Sequence, residues 1–160
     1  MNLTGIGYDV HRFAAGRPLI LGGVEIPYSH GLDGHSDADV LAHAIADAVL
    51  GAIGERDIGH HFPNSDESIR GISSLEILRQ ISSILAKQNS RVINVDATLI
   101  AEAPKIGPYV AEMRSNLAEA LGIPLARVGV KATTNELMGF LGRGEGIAAL
   151  AVASVEQTEP

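Results

Sequence analysis

Ser36-Asp37-Ala38-Asp39-Val40-Leu41-Ala42-His43-Ala44-Ile45-Ala46-Asp47-Ala48-Val49-Leu50 is apolar on almost every side, broken only by a polar stripe. Asp39, His43 and Asp47 recur every four residues, which places them on one face of a helix. Ser36 or Asp37 can cap that helix, and its apolar pattern runs to about Ile53. A helix apolar nearly all round is normally buried. This one is too short, and too interrupted by His43 and Asp47, to cross a bilayer. It therefore needs a sheet to lie on, and its polar stripe needs partners or a ligand, because an unpaired buried polar group costs about 1–3 kcal/mol.

The flanking sequence supplies that sheet. Upstream, residues 2–13 read as a strand leading into a loop, Leu19 to Ile26 as a hairpin turning at Gly22-Gly23, and Ser29 to Gly34 as a loop. Downstream, residues 54–72 lack periodicity and read as a long loop, of a kind that is often functional. Residues 73–88 carry Leu75, Leu78, Ile81 and Leu85 at helical spacing. Val92 to Ile100 is a strand, and a third helix opens near Pro108 and stops at Gly122. Val128 to Ala132 is a strand, Gly139 to Gly146 a glycine-rich loop, and Ile147 to Val155 a final apolar strand. The order predicts one α+β domain over residues 1–160, a two-layer arrangement with helices on one face of a mixed sheet. One helix layer leaves the other sheet face bare, to be covered by oligomerisation or by the chain's own loops, of which oligomerisation is expected.

Composition narrows the function classes. The 160 residues suffice for one sizeable core, and with three Phe, three Tyr and no Trp that core must be Ala, Val, Ile and Leu. A net charge of −7 argues against general nucleic-acid affinity. The absence of cysteine excludes disulfides, thiolate metal sites and cysteine nucleophiles. The start shows no basic segment followed by an apolar run, so a cytoplasmic location without membrane association is expected.

In Gly5-Ile6-Gly7-Tyr8-Asp9-Val10-His11, Asp9 and His11 share one strand face. With His43 from the helix they make two imidazoles and a carboxylate, a zinc ligand set with the fourth position open, as in a catalytic site. Alone, His43 reads more readily as a satisfied core histidine; the Asp-x-His strand reverses that preference. His35-Ser36, ahead of the helix, can meet phosphate. His60 and His61 form a loop pair that stays outside the metal site. Asp57 can hold a hydroxyl. Lys131-Ala132-Thr133-Thr134-Asn135-Glu136 ends a strand with groups suited to phosphate and, at Glu136, to a hard cation. Gly142-Arg143-Gly144-Glu145-Gly146 has neither the Walker A nor the dinucleotide spacing.

Taken in order, Gly7-Tyr8-Asp9-Val10-His11, Leu21-Gly22-Gly23, His35-Ser36-Asp37-Ala38-Asp39-Val40, His43-Ala44, Asp57-Ile58-Gly59, Phe62-Pro63-Asn64-Ser65-Asp66, Ala101-Glu102-Ala103-Pro104-Lys105, Lys131-Ala132-Thr133-Thr134 and Gly142-Arg143-Gly144-Glu145-Gly146 closely resemble the 2-C-methyl-D-erythritol 2,4-cyclodiphosphate synthase family. The resemblance implies a fold like the Bacillus chorismate mutase type, assembled as a homotrimer with sheets packed around a three-fold axis and active sites between neighbouring subunits. It implies a lyase of non-mevalonate isoprenoid synthesis, which closes a cytidine-diphosphate-linked substrate into a cyclic diphosphate and releases CMP. It assigns zinc to Asp9, His11 and His43, and a second divalent ion, Mg²⁺ or Mn²⁺, to Glu136. It makes His35 and Thr134 catalytic. Substrate contacts would come from Asp9, Val10, His11, His35, Ser36, Asp57, Ile58, Gly59, Phe62, Pro63, Asn64, Ser65 and Asp66 on one side. On the cytidine diphosphate side they would come from Ala101, Glu102, Ala103, Pro104, Lys105, Ile106, Gly107, Thr133, Thr134, Asn135 and Glu136, with Phe140 and Arg143 also at substrate positions. At Asn64 the resemblance leads one to expect Asp, and at Asn135 Thr. An isoprenoid diphosphate is expected in the central cavity, tail inside and diphosphate near Arg143. A zinc phosphohydrolase is the competing enzyme class, separated by a linear product, and a non-catalytic metal-binding module would release no CMP.

Overall fold

In the computed structural model, which describes residues 1–158, strand β1 (Asn2–Ala14) decides how everything else packs. Its alternate residues Gly5, Gly7, Asp9 and His11 face helix α1 (Val40–Ala52). Gly5 and Gly7 have no Cβ, and one added there would lie 2.0 Å from the Ala48 carbonyl oxygen or 1.9 Å from that of Ala44. The missing side chains let an alanine-rich helix settle directly on the strand. Just beyond the glycines, toward the end of the strand, the same face offers Asp9 and His11 to the helix.

Four further strands complete a five-stranded sheet in the order β4-β1-β7-β5-β6. These are β4 (Gly31–Leu32), β5 (Ser90–Ile100), β6 (Val128–Thr133) and β7 (Gly146–Gln157). β7 runs antiparallel to both β1 and β5, while β5 and β6 are parallel. β2 (Leu19–Leu21) and β3 (Val24–Ile26) form the expected separate hairpin. α3 (Ser74–Lys87) and α4 (Val110–Leu121) join α1, and Ile77, Leu78, Ile81, Leu85, Met113 and Leu117 are buried. Gly122 ends α4 in the left-handed region, as its sequence position foretold. The opposite sheet face is uncovered in the single chain. Ile6 and Tyr8 of β1 lie there directly opposite Val152 and Leu150 of β7, and Ile6 is 68% exposed.

Several local expectations change. α1 is capped by Asp39 rather than by Ser36 or Asp37, because Ala38 at φ 57° prevents the helix from extending further back. Asp39 also leaves the polar stripe. Fully buried, its carboxylate accepts the N–H groups of Ala42 (3.1 Å), Gly22 (2.9 Å) and Gly23 (2.8 Å), tying the hairpin to the helix. The third helix starts at Val110, after a 3-10 turn over Gly107–Tyr109. The loop expected over 54–72 contains helix α2 (Ile58–His61), capped by Asp57, and a 3-10 turn at Glu67–Ile69, capped by Asp66. The glycine-rich loop contains helix α5 (Gly139–Gly142). Elements this short show no period a sequence could reveal. The last two residues of the expected 1–160 domain lie outside the described residues.

Candidate active site

Asp9, His11 and His43 converge. The Asp9 Oδ2 atom lies 2.9 Å from His11 Nε2 and 3.1 Å from His43 Nδ1, and the two ring nitrogens are 3.3 Å apart. Ligand atoms bound tetrahedrally to zinc at 2.0–2.1 Å stand about 3.3 Å from one another. The triangle thus fits three ligands of one divalent ion, and it is the ligating group of this kind among the described residues. All three side chains are part-buried, with 12–26% of their surface exposed, which leaves an open side.

The surroundings fix the chemistry of these groups. Burial favours the neutral form of Asp9, but the hydrogen bonds and charges of His11 and His43 outweigh it and hold the carboxyl well below the usual range. Burial likewise lowers His11, and Asp9 together with Asp33 overrides it, so the ring titrates above its ordinary value. His11 Nδ1 lies 2.5 Å from the Asp33 carbonyl oxygen. A carbonyl only accepts, so Nδ1 carries a proton; Nε2 donates to Asp9 while the ring is charged and offers its lone pair to a metal once that second proton is lost.

A cavity of about 210 Å³ opens onto this cluster, lined by His35, Ser36, Ile58, Gly59, Phe62 and Asn64, all expected substrate residues. Ile69, Ile72 and Ile77 line it as well. Nothing in the sequence marked these three. His35 Nε2 donates to the Asp66 carbonyl at 3.1 Å, bridging the segment before α1 to the 62–66 loop. Arg17, also unmarked, clamps that segment by donating to the carbonyls of Gly34 and Ser36. Asp57 Oδ1 is engaged in capping α2, and Pro63, Ser65 and Asp66 are exposed and do not line this cavity. Of the polar stripe, only His43 reaches the cluster; Asp47 accepts the Ile58 N–H at 2.7 Å and so holds α2 in place. His61 lies 3.3 Å from Glu55, away from the cluster.

The remaining expected residues gather elsewhere. Ala101, Glu102, Pro104, Lys105, Ile106, Gly107, Thr133 and Thr134 line a second cavity of about 520 Å³. Glu102 accepts the N–H groups of Asn135 (2.9 Å) and Leu137 (3.2 Å), and Thr134 Oγ1 donates to Glu136 at 3.2 Å. Glu102 thereby holds the 135–137 loop that presents Glu136. Val10, His11 and Phe140 border a third cavity, and Arg143 is paired with Glu145 at 2.6 Å. Asp9, Ala149, Leu99 and Ala132 are partners in a single row across β1, β7, β5 and β6. Three strand spacings, roughly 14 Å, thus separate the metal-side strand from the strand that leads to Thr133.

The chain is 60% identical over 158 residues to 2-C-methyl-D-erythritol 2,4-cyclodiphosphate synthase of Akkermansia muciniphila, covering 98% of this chain and 94% of that protein. It is 58% identical to the synthase of Symbiobacterium thermophilum, covering 96% and 98%. Among solved structures, the bifunctional IspDF of Campylobacter jejuni superposes with a TM-score of 0.94 at 41% identity, covering 99% of this chain and 43% of that one. The Plasmodium falciparum IspF complex with CDP superposes with a TM-score of 0.85 at 32% identity, covering 99% and 97%. The YgbB family model matches residues 3–156. A fold shared along the whole chain, a match over nearly every residue and relatives that carry one name agree: the chain belongs to the YgbB family, that of the 2-C-methyl-D-erythritol 2,4-cyclodiphosphate synthases.

Proposed function

We propose that the protein converts 4-diphosphocytidyl-2-C-methyl-D-erythritol 2-phosphate into 2-C-methyl-D-erythritol 2,4-cyclodiphosphate and CMP. The observation that carries this reading is the Asp9–His11–His43 triangle opening onto His35, Ser36 and the 58–64 segment, in a chain of this family. An oxygen of the 2-phosphate attacks the phosphorus bonded to the methylerythritol. A new phosphorus–oxygen–phosphorus bridge forms, and the bond to the CMP oxygen breaks with its electron pair leaving on CMP. The 2-phosphate has a second pKa of about 6, so near neutrality it attacks without a general base.

We assign zinc to Asp9, His11 and His43, since the set offers only nitrogen and oxygen ligands, and Mg²⁺ or Mn²⁺ to Glu136, an exposed carboxylate suited to a hard cation. When bound, such ions neutralise phosphate charge and polarise phosphoryl oxygens. The chain's residues orient the reactants. His35, held by Asp66, and Ser36 meet the substrate phosphate; Asp57 to Gly59 and Phe62 to Asp66 surround the methylerythritol. Ala101 to Gly107 and Thr133 to Glu136 take the cytidine diphosphate, with Thr134 beside the reacting phosphorus and Phe140 and Arg143 at the border. A similar protein was solved in complex with CDP, which supports a CDP-linked substrate.

The same proposal includes a homotrimer of the Bacillus chorismate mutase type, with the bare apolar sheet faces packed around a three-fold axis, a cytoplasmic location, and an isoprenoid diphosphate whose tail enters the axial cavity near Arg143. Among the described residues no helix is long and apolar enough to cross a membrane. Incubation with the substrate and a divalent ion, followed by phosphorus NMR, tests the reaction: cyclic diphosphate plus CMP is expected. A linear phosphate product would instead establish a hydrolase. Light scattering at the mass of a monomer would remove both the trimer and its cavity.

A further inference from the structure

His43 meets the ligand triangle through Nδ1, and its other nitrogen lies among hydroxyls. Nε2 is 2.9 Å from Ser74 Oγ and 3.2 Å from Ser36 Oγ. Ser74 is the first residue of α3 and is fully buried. Its hydroxyl donates to Asp37 Oδ1, and its backbone N–H to Asp37 Oδ2 at 2.9 Å. An ionised carboxylate is acceptor-only, and a serine hydroxyl has one proton. With that proton committed to Asp37, Ser74 Oγ can only accept from His43 Nε2–H. In the neutral ring the Nδ1 lone pair is then left facing Asp9 and His11, and Nδ1 donates to Asp9, 3.1 Å away, only while the ring is charged. Ser36 Oγ accepts the Ala38 N–H at 3.1 Å and has its own hydrogen free, so it does not fix the direction of the proton.

We propose that Ser74, oriented by Asp37, is a positioning residue that holds His43 in the Nε2–H tautomer, so that the ring presents Nδ1 to the metal. The inference rests on the metal reading of the Asp9–His11–His43 cluster. The Asp37–Ser74–His43 chain ties the N-terminus of α3 to a side chain on α1, so two helices jointly fix one ring. His11 is served on the other side by the Asp33 carbonyl. Both imidazoles thus have their second nitrogen occupied by a group that specifies the tautomer, as metal-ligating histidines usually do.

The test uses the whole chain and zinc alone. Wild type, Ser74→Ala, Ser74→Thr and His43→Ala are titrated with zinc against a chromophoric chelator, with circular dichroism reporting folding. Ser74→Ala is expected to bind zinc about 10- to 100-fold more weakly, the usual cost of losing such an outer partner. Ser74→Thr, which keeps the hydroxyl, should recover most of the affinity. Nitrogen-15 NMR of metal-free wild type at mildly alkaline pH should show His43 as the Nε2–H tautomer, and Ser74→Ala should show a mixture. His43 found as the Nδ1–H tautomer in wild type overturns the proposal even if Ser74→Ala does not fold. Wild-type zinc affinity in Ser74→Ala overturns it too. Failure of the underlying metal reading looks different: wild type would take up no zinc, or His43→Ala would keep it.

Discussion

Replacing Gly7 by alanine tests whether the contact between strand and helix sets the metal geometry. A Cβ at position 7 would stand 1.9 Å from the Ala44 carbonyl oxygen and 2.7 Å from the Ala48 nitrogen, both backbone atoms of α1. No rotamer change relieves such a contact. To restore even a tight non-bonded separation the helix must retreat by more than ~1 Å, where carbon contacts prefer about 3.5 Å or more. Overpacking of this kind costs about 1–3 kcal/mol, which lowers the melting temperature by ~2–12 °C at about 2–4 °C per kcal/mol. The same retreat carries His43 away from Asp9 and His11, now 3.1 and 3.3 Å distant. Metal bonds tolerate only about 0.2 Å, so zinc affinity should fall together with stability. Gly51→Ala on the same helix is the control, because its added Cβ would meet nothing closer than 3.9 Å. It should stabilise by about 0.5–1 kcal/mol through helix propensity and leave zinc binding alone. Thermal melts and chelator competition on both variants decide the matter. A Gly7→Ala protein that melts early yet binds zinc like wild type would refute the coupling of helix docking to the site.

Burial and the neighbouring Asp37 charge push the Asp39 carboxyl up to about 6, against the pull of its three N–H donors. Between the ordinary carboxylate range and that value the folded chain keeps a proton the unfolded chain has lost, so Asp39 makes stability fall as pH rises, by up to about 1.4 kcal/mol per pH unit. Denaturant titrations of wild type against Asp39→Asn should isolate this slope, and parallel profiles would show that the three donors dominate. Metal uptake must displace the His11 proton wherever that ring is charged, so zinc affinity should drop about tenfold per pH unit on the acid side of its raised pKa, and chelation should abolish turnover without unfolding the sheet. Zinc content unchanged by Glu136→Gln with turnover lowered at least about tenfold is expected if Glu136 holds a separate ion, since such a loss equals about 1.4 kcal/mol of transition-state stabilisation; unaltered Mg²⁺ or Mn²⁺ dependence would argue against that role.

The elements a sequence announces are those whose periodicity survives over several turns or strand residues. α1, α3, β1 and β7 appear close to where their patterns place them. The metal triangle was legible for a related reason: Asp9 and His11 share a strand face, and His43 is the one histidine inside an apolar helix. Long-range partners were not legible. Asp39 looks like part of a helical stripe, but the Gly22–Gly23 hairpin claims its carboxylate from 16–17 residues away. Ser74 looks like ordinary helix-opening serine, and only the packing of α3 against α1 gives it a bond to His43 across 31 residues. Arg17 has no neighbouring pattern, and its hold on the carbonyls of Gly34 and Ser36 depends on how the chain folds back after β1.

The two halves of the site bear on assembly. The row from Asp9 to Ala132 crosses three strand spacings, roughly 14 Å, while reacting phosphate groups must come within about 3–3.5 Å of each other. The family resemblance implies sites between neighbouring subunits, and this spacing accords with a diphosphate reached by segments of two chains. In a cyclic trimer each interface pairs unlike surfaces of successive subunits, so one chain would supply the triangle and the next its 133–136 segment. His43→Ala and Glu136→Gln chains, each inactive alone, should then complement one another. Random equimolar reassembly makes about three quarters of the trimers mixed, and each mixed trimer has one interface with both halves intact, so about one quarter of all sites should work. Turnover of reassembled mixtures, corrected for protein recovered, measures this fraction. A mixture no more active than its separate parents would place the whole site within one chain.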